Sequence, residues 1–311
     1  MSLAPWHDRV WQGLRQRLER DELPHAILLA GAEGLGKRQV AAHLSAAALC
    51  SGRVAGQACG ECRSCHLLRA GTHPDLHPLN LELNTQGNLR KEIVVAQVRE
   101  MSRTLSMTSQ LGGRQVAIID PADLMNHQAA NALLKTLEEP ARDTVMVLVA
   151  DQPWRLPATV RSRCQLFSLH RPPRDAALRW LQEQDVEPAE AALDAAGGNP
   201  GLARDWHARE LLPLHREVFT DLRALAREEL SPLAVSERWA DENATQRLWF
   251  AARAAAGEMR ERASGGGGRL GSAMDDMAVL DWYRQAIRAR EDLRGPLRPA
   301  LVLFPLLAAW H

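Results

Sequence analysis

Apolar and polar positions alternate along the first half of the chain in blocks that name their own secondary structure. Residues 26–30, Ala-Ile-Leu-Leu-Ala, form a continuous apolar run that predicts a buried strand. A glycine-rich turn follows, and residues 40–49 then have an Ala-rich helical composition. Residues 75–79 predict a further short strand and 92–106 a helix, while 115–120 read as a buried strand ending in an acid. Leu133, Leu134 and Leu137 give an apolar face at i, i+1, i+4, and Pro140 stops that helix. Residues 144–150 are a β-branched buried strand. Together these blocks predict an α/β domain over residues 1–170, a parallel sheet flanked by helices. Arg171-Pro172-Pro173 reads as a stiff linker, because consecutive prolines continue neither helix nor strand. A small helical domain is expected over 171–207. From 208 to 311 the chain is Ala/Leu/Arg/Glu-rich and helical, interrupted clearly only by Ser264-Gly265-Gly266-Gly267-Gly268, a flexible loop.

Composition narrows the class. With 311 residues, 46% hydrophobic and 24% charged, the chain has the make-up of a soluble multidomain protein. No apolar run approaches the ~20 residues of a membrane helix, and the N-terminal stretch lacks the apolar core of a signal peptide, so a cytoplasmic location is expected. The 38 basic and 38 acidic residues cancel. A protein that grips DNA alone usually carries a basic excess, so any work on DNA is expected to be shared with partners. Nine tryptophans against one tyrosine are unusual but read as core or interface anchors.

Between the first strand and helix lies Gly31-Ala32-Glu33-Gly34-Leu35-Gly36-Lys37-Arg38, a phosphate-binding loop complete except at its last position. In such a loop the glycines bring backbone N–H groups around the phosphates, the lysine reaches them, and a final hydroxyl ligates Mg²⁺. Arg38 replaces that hydroxyl, and a guanidinium cannot coordinate a cation. The plainer alternative is an ordinary glycine-rich turn with an exposed lysine. Asp120 ends the 115–120 strand, where P-loop ATPases keep a metal-holding acid. The next residue, in many of them a glutamate, is Pro121 here and can neither take a proton nor orient water. Asp123 is expected to cap the following helix. Two positions of one site, Arg38 and Pro121, are therefore wrong for hydrolysis.

Cys50, Cys59, Cys62 and Cys65 follow a C-x8-C-x2-C-x2-C spacing in a polar, Gly-rich segment. Two-residue gaps let thiolates converge on one ion, and four sulfurs with no open position make a structural zinc site. An iron–sulfur cluster or unligated thiols are the alternatives. His66 reads as a surface residue starting the next helix. Cys164 stands apart, after Arg161-Ser162-Arg163, which physics alone reads as a solvated basic helix end.

The P-loop, the four-cysteine module, the strand ending in Asp120, the run Leu133-Leu134-Lys135-Thr136-Leu137-Glu138-Glu139-Pro140 and Ser162-Arg163-Cys164 occur in that order. That set resembles the bacterial clamp-loader subunits of the AAA+ superfamily, over residues 20–200 at the level of motifs. The resemblance implies an AAA+ P-loop domain with a zinc-module insertion, a helical lid over 171–207, and an all-α collar over 208–311. It implies that Arg163 acts in trans as an arginine finger on a neighbouring ATP site, with Cys164 packed behind it. A polar sensor, often threonine, is replaced by Asp151, and Gly201 lies near a sensor arginine's place, with Arg204 one turn on. The implied function is a non-hydrolysing subunit of the DNA polymerase III holoenzyme. Its implied partners are ATPase (gamma/tau-like) and delta subunits, the sliding clamp and primed DNA, with no membrane. Structural Zn²⁺ and unhydrolysed ATP or ADP are the expected cofactors, the loop itself being a candidate vestige. An active gamma/tau-like motor is the alternative, which the missing hydroxyl and acid disfavour.

Overall fold

The computed structural model of the chain describes residues 3–84, 86–293 and 297–310. It divides into two compact units: residues 1–180 with 199–202, and residues 181–198 with 203–311.

The first unit is built on a five-stranded parallel sheet. In chain order its elements are α1 (Asp8–Glu19), β1 (Ala26–Ala30), α2 (Lys37–Leu49), α3 (Arg63–Arg69), β2 (Leu76–Leu79), α4 (Val95–Leu105), β3 (Gln115–Ile119), α5 (His127–Glu138), β4 (Thr144–Ala150), α6 (Ala158–Arg161) and β5 (Gln165–Ser168). The strand order is β2-β3-β4-β1-β5. Central strands of a parallel sheet are covered on both faces and so read as unbroken apolar runs. All of β1 and β4 is buried accordingly, whereas β5, at the edge, is exposed over its first half.

Side chains alternate across a strand, and this alternation makes two cores. Ala26, Leu28 and Ala30 of β1 join Met146, Leu148 and Ala150 of β4 against Val98 and Met101 of α4 and Leu133 and Leu137 of α5. Ile27 and Leu29 join Val145, Val147 and Val149 against Leu14 of α1 and Val40 and Leu44 of α2. Slipping either strand by one residue would exchange the two sets, so the register is strongly specified. The register pairs Ala30 with Ala150 and Ile119 with Leu148. Gly31, Asp120 and Asp151 therefore emerge at the same carboxyl edge, where open α/β sheets bind ligands.

Residues beyond β5 form α7 (Arg174–Glu183), α8 (Ala189–Ala195), α9 (Pro200–Ala208), α10 (Leu212–Ala226), α11 (Pro232–Trp239), α12 (Ala244–Ala263), α13 (Asp276–Asp292) and α14 (Pro299–Ala308). Three buried tryptophans of the second unit anchor its helices, each satisfying its indole N–H as burial demands. Trp239 donates to Asp221, Trp282 to the Leu306 carbonyl and Trp310 to the Leu222 carbonyl, each at 2.8 Å. After the glycine run the chain folds back on α12: the Leu270 N–H donates to Glu258 Oε2 at 2.8 Å.

Candidate functional site

The phosphate loop leaves β1 at Gly31 and enters α2 through Gly36, whose φ of 81° serves as a left-handed helix cap. A side chain at Gly36 would strike the His7 ring, 2.4 Å from where its Cβ would stand. His7 is fully buried, accepts the Ala4 N–H on Nδ1 (3.1 Å) and donates Nε2–H to the Leu35 carbonyl (2.7 Å). Burial lowers its pKa. Trp6 donates to the same carbonyl at 3.0 Å. The N-terminal residues thus buttress the loop from behind, a role with no motif to announce it.

Lys37, the first residue of α2, is only 2% exposed. Its ammonium donates to the carbonyls of Gly31 (2.7 Å) and Ala32 (2.8 Å) and lies 2.5 Å from Asp151 Oδ1. The Asp151 contact is an ion pair without an aligned hydrogen bond. Arg38 turns the other way and forks onto Asp120, Nε to Oδ2 at 2.5 Å and Nη2 to Oδ1 at 2.9 Å. Burial works against the Arg38 charge, but Asp120, Asp151 and Glu33 more than offset it and raise its pKa. Each cation of the loop thereby meets an acid at the carboxyl edge of the sheet.

Asp123 departs from the expected helix cap. A 3₁₀ turn over Ala122–Leu124 delays α5, and Asn126 caps it, accepting the Ala129 N–H at 2.9 Å. Asp123 is buried and accepts the N–H groups of Gln152 (2.9 Å) and Asp151 (3.4 Å), so it holds the loop that carries Asp151 to Lys37. The start of α9 covers the outer turn of the phosphate loop. Asn199 Nδ2 donates to the Glu33 carbonyl at 2.7 Å, and a Cβ at Gly201 would stand 1.7 Å from the Gly34 oxygen. An arginine has no room at position 201.

Among the described residues, Arg163 shares no partner with the loop. It lies just past α6, donates Nη1–H to the Thr159 carbonyl at 2.9 Å, and pairs through Nη2 with Glu138 at the end of α5. Cys164, half-buried behind it, packs on the core of α5, and burial lifts its thiol to about 11.

The four cysteines converge as their spacing implies. Cys50 ends α2, Cys62 caps α3 and Cys65 lies in its first turn. All four sulfurs lie within 4.8 Å of one another, with Cys50 Sγ 3.5 Å from Cys59 Sγ and 3.7 Å from Cys62 Sγ. The sulfur–sulfur edge of a zinc–thiolate tetrahedron is about 3.8 Å, from Zn–S bonds of about 2.3 Å. Backbone N–H groups of Cys59 and Cys62 point at neighbouring sulfurs, each at 3.3 Å. The Cys65 N–H and the Ser51 hydroxyl pull the Cys62 thiol down to about 5, whereas burial pushes Cys65 up to about 12. A divalent cation bound by such a set would let every thiol ionise. His66 is exposed inside α3, three residues past its start.

Comparison with known proteins follows these features. A family model described as "DNA polymerase III, delta subunit" matches residues 6–173. A Pseudomonas aeruginosa protein, DNA polymerase III subunit delta', is 39% identical over 242 residues, 76% of this chain and 71% of that one. The Escherichia coli protein of the same name is 37% identical over 223 residues, 68% and 65% of the two chains. Among solved structures, a DNA polymerase III gamma subunit-related protein from Thermotoga maritima matches with a TM-score of 0.52 at 17% identity, covering 96% of this chain and 97% of its own. That likeness is one of fold.

Proposed function

Since the chain belongs to the DNA polymerase III delta' family, we propose that it works as a clamp-loader subunit that does not hydrolyse ATP. It helps hold the assembly that places a sliding clamp on primed DNA, in the cytoplasm. Its partners are the ATPase and delta subunits. Residues 1–170 act as the AAA+ domain, 171–207 as its lid and 208–311 as the collar by which subunits join. Zinc on Cys50, Cys59, Cys62 and Cys65 gives the inserted module its shape.

One observation carries the reading: Arg38 occupies both oxygens of Asp120. Phosphoryl transfer in P-loop enzymes needs a metal held between a hydroxyl after the loop lysine and this acid. Here the first ligand is a cation and the second is engaged by it. Pro121 supplies no base beside them. What the chain contributes to chemistry is Arg163, offered to the ATP site of a neighbouring subunit.

Steady-state ATP hydrolysis tests this reading, first with the chain alone, then with its ATPase and delta subunits, clamp and primed DNA. Silence alone, stimulation in the mixture and loss of that stimulation with Arg163→Ala are the expected results. Robust turnover by the chain alone would make it a motor and overturn the reading. An unchanged rate with Arg163→Ala would remove the finger.

A further inference from the structure

We propose that Glu138 is a positioning residue for Arg163: it holds the guanidinium in a resting orientation and must release it before the arginine can act on a phosphoryl group. The inference rests on the finger reading of Arg163 given above.

Both ends of the pair are fixed by the residues beside them. Leu137, adjacent to Glu138, is 2% exposed, and Cys164, adjacent to Arg163, packs against the same core, together with Val160 of α6. The backbones that carry the two side chains are thus seated in one hydrophobic cluster, and the pairing is built into the packing of α5 on α6. The side chains themselves face outward, 50% exposed for Glu138 and 35% for Arg163. The contact is set by the fold yet open to exchange.

Glu138 is also an odd choice for its position. It is the last residue of α5, where the helix dipole disfavours an anion. Lys135 is the basic residue of the same last turn, and Arg163 adds a directly paired positive charge from outside the helix. The same neutralisation limits the arginine. A guanidinium already paired with a carboxylate has little net charge to offer a transferring phosphoryl group, and the carboxylate would repel that group. A phosphoryl group carries more charge and presents oxygens for a forked contact, so it outcompetes a single carboxylate. The Thr159 carbonyl, on Nη1, keeps hold of the arm while Nη2 changes partner.

Exposed ion pairs are weak, so Glu138 restrains Arg163 rather than disabling it. In the complete complex, Glu138→Gln is expected to raise kcat for ATP about two- to five-fold without clamp and DNA, with KM unchanged. The thermal melting of the subunit should not move. In an Arg163→Ala background the same substitution should do nothing, because its effect runs through the arginine. A kcat that falls or stays level with Glu138→Gln, while Arg163→Ala still lowers it, overturns the restraint and leaves the finger standing. An equal rise in both backgrounds assigns the effect to something other than Arg163 and also overturns it. If Arg163→Ala itself changes nothing, the finger reading fails first.

Discussion

Lys37 and Arg163 are both cations at places where a nucleotide enzyme needs one, and the chain treats them in opposite ways. Lys37 is 2% exposed, and two carbonyls and a carboxylate of its own chain surround its ammonium. Arg163 stays 35% exposed, held by one carbonyl and one half-exposed glutamate. Removing one partner of a buried ion pair costs about 3–5 kcal/mol, whereas exposed pairs are worth about 0.2–1 kcal/mol. The first arrangement is therefore permanent and the second exchangeable. On the function proposed above, the difference teaches where to look: a cation turned inward serves the fold, and a cation turned outward stays available to a partner.

The sharpest way to break this comparison is Arg163→Ala in the complete complex. Arginine fingers supplied in trans are worth about 10³–10⁵ in rate in GTPase examples, so the site that Arg163 is proposed to complete should fall nearly silent. Total turnover should drop by that site's share, and the subunit should melt as before. If both Arg163→Ala and Lys37→Ala lower turnover alike, the contrast between the two cations is gone.

The four-cysteine cluster, proposed above to hold zinc, offers a second test. Structural zinc contributes about 10–16 kcal/mol of apparent binding free energy in small zinc modules. Metal analysis of the purified chain should give one zinc per chain. Cys62→Ser, which removes one of the two thiols whose pKa is lowered, should lose the metal and open residues 50–65 to proteases. Full zinc content in that variant would show that these sulfurs are not its ligands.

A third substitution reverses the closure of the loop itself. Asp151→Thr removes the acid beside Lys37 and installs the polar residue that ATPases of the resembled family often carry there. A buried ammonium left with only two carbonyls should cost about 3 kcal/mol, the low end for a broken buried pair because Asp151 is 25% exposed. That is a fall of several degrees in Tm. The same change frees one side of Lys37 for phosphate, so ADP affinity measured by calorimetry should rise at least about tenfold, a gain of about 1.4 kcal/mol. Equal ADP affinity in both proteins would mean that Asp151 closes nothing.

These charge contacts mark the limit of what the sequence makes legible. The order strand, glycine turn, helix is local, and so is the run of cysteines; both carry their chemistry in spacing. The parallel sheet was readable because β1 and β4 are buried on both faces and hence apolar throughout. By contrast, Arg38 reaches Asp120 across 82 residues and Asn199 reaches Glu33 across 166. Strand order and register bring the first pair together, and the seating of residues 199–202 on the loop brings the second. Asp123 shows the same limit from the other side. A local rule makes it a helix cap, but a short 3₁₀ turn passes that job to Asn126 and leaves Asp123 to hold the loop after β4. Glu138 belongs to a motif, yet nothing in the motif says that it meets Arg163.

The smallest effect tests the rule behind the comparison, that a buried cation survives only beside an acid. His215 in the second unit is the converse of Lys37. Its ring stacks on Trp206 with centroids 5.6 Å apart, and its Nδ1 has no hydrogen-bond partner among the described residues. Burial, with the charges of Arg253 and Arg216, pushes its pKa down from 6.5 to about 4. The folded protein thus refuses a proton that the unfolded chain accepts below about pH 6.5. Stability tied to this residue is complete above pH 6.5 and drains away as pH falls towards 4, below which both states are protonated. A shift of that size is worth about 3 kcal/mol at most, at about 1.4 kcal/mol per pH unit. His215→Phe keeps the ring against Trp206 and removes the proton site. Melting curves between pH 7.5 and 4 should fall less steeply for this variant than for the wild type. Identical slopes would mean that His215 takes its proton in the folded state, and that burial beside two arginines does not suffice to keep a group neutral.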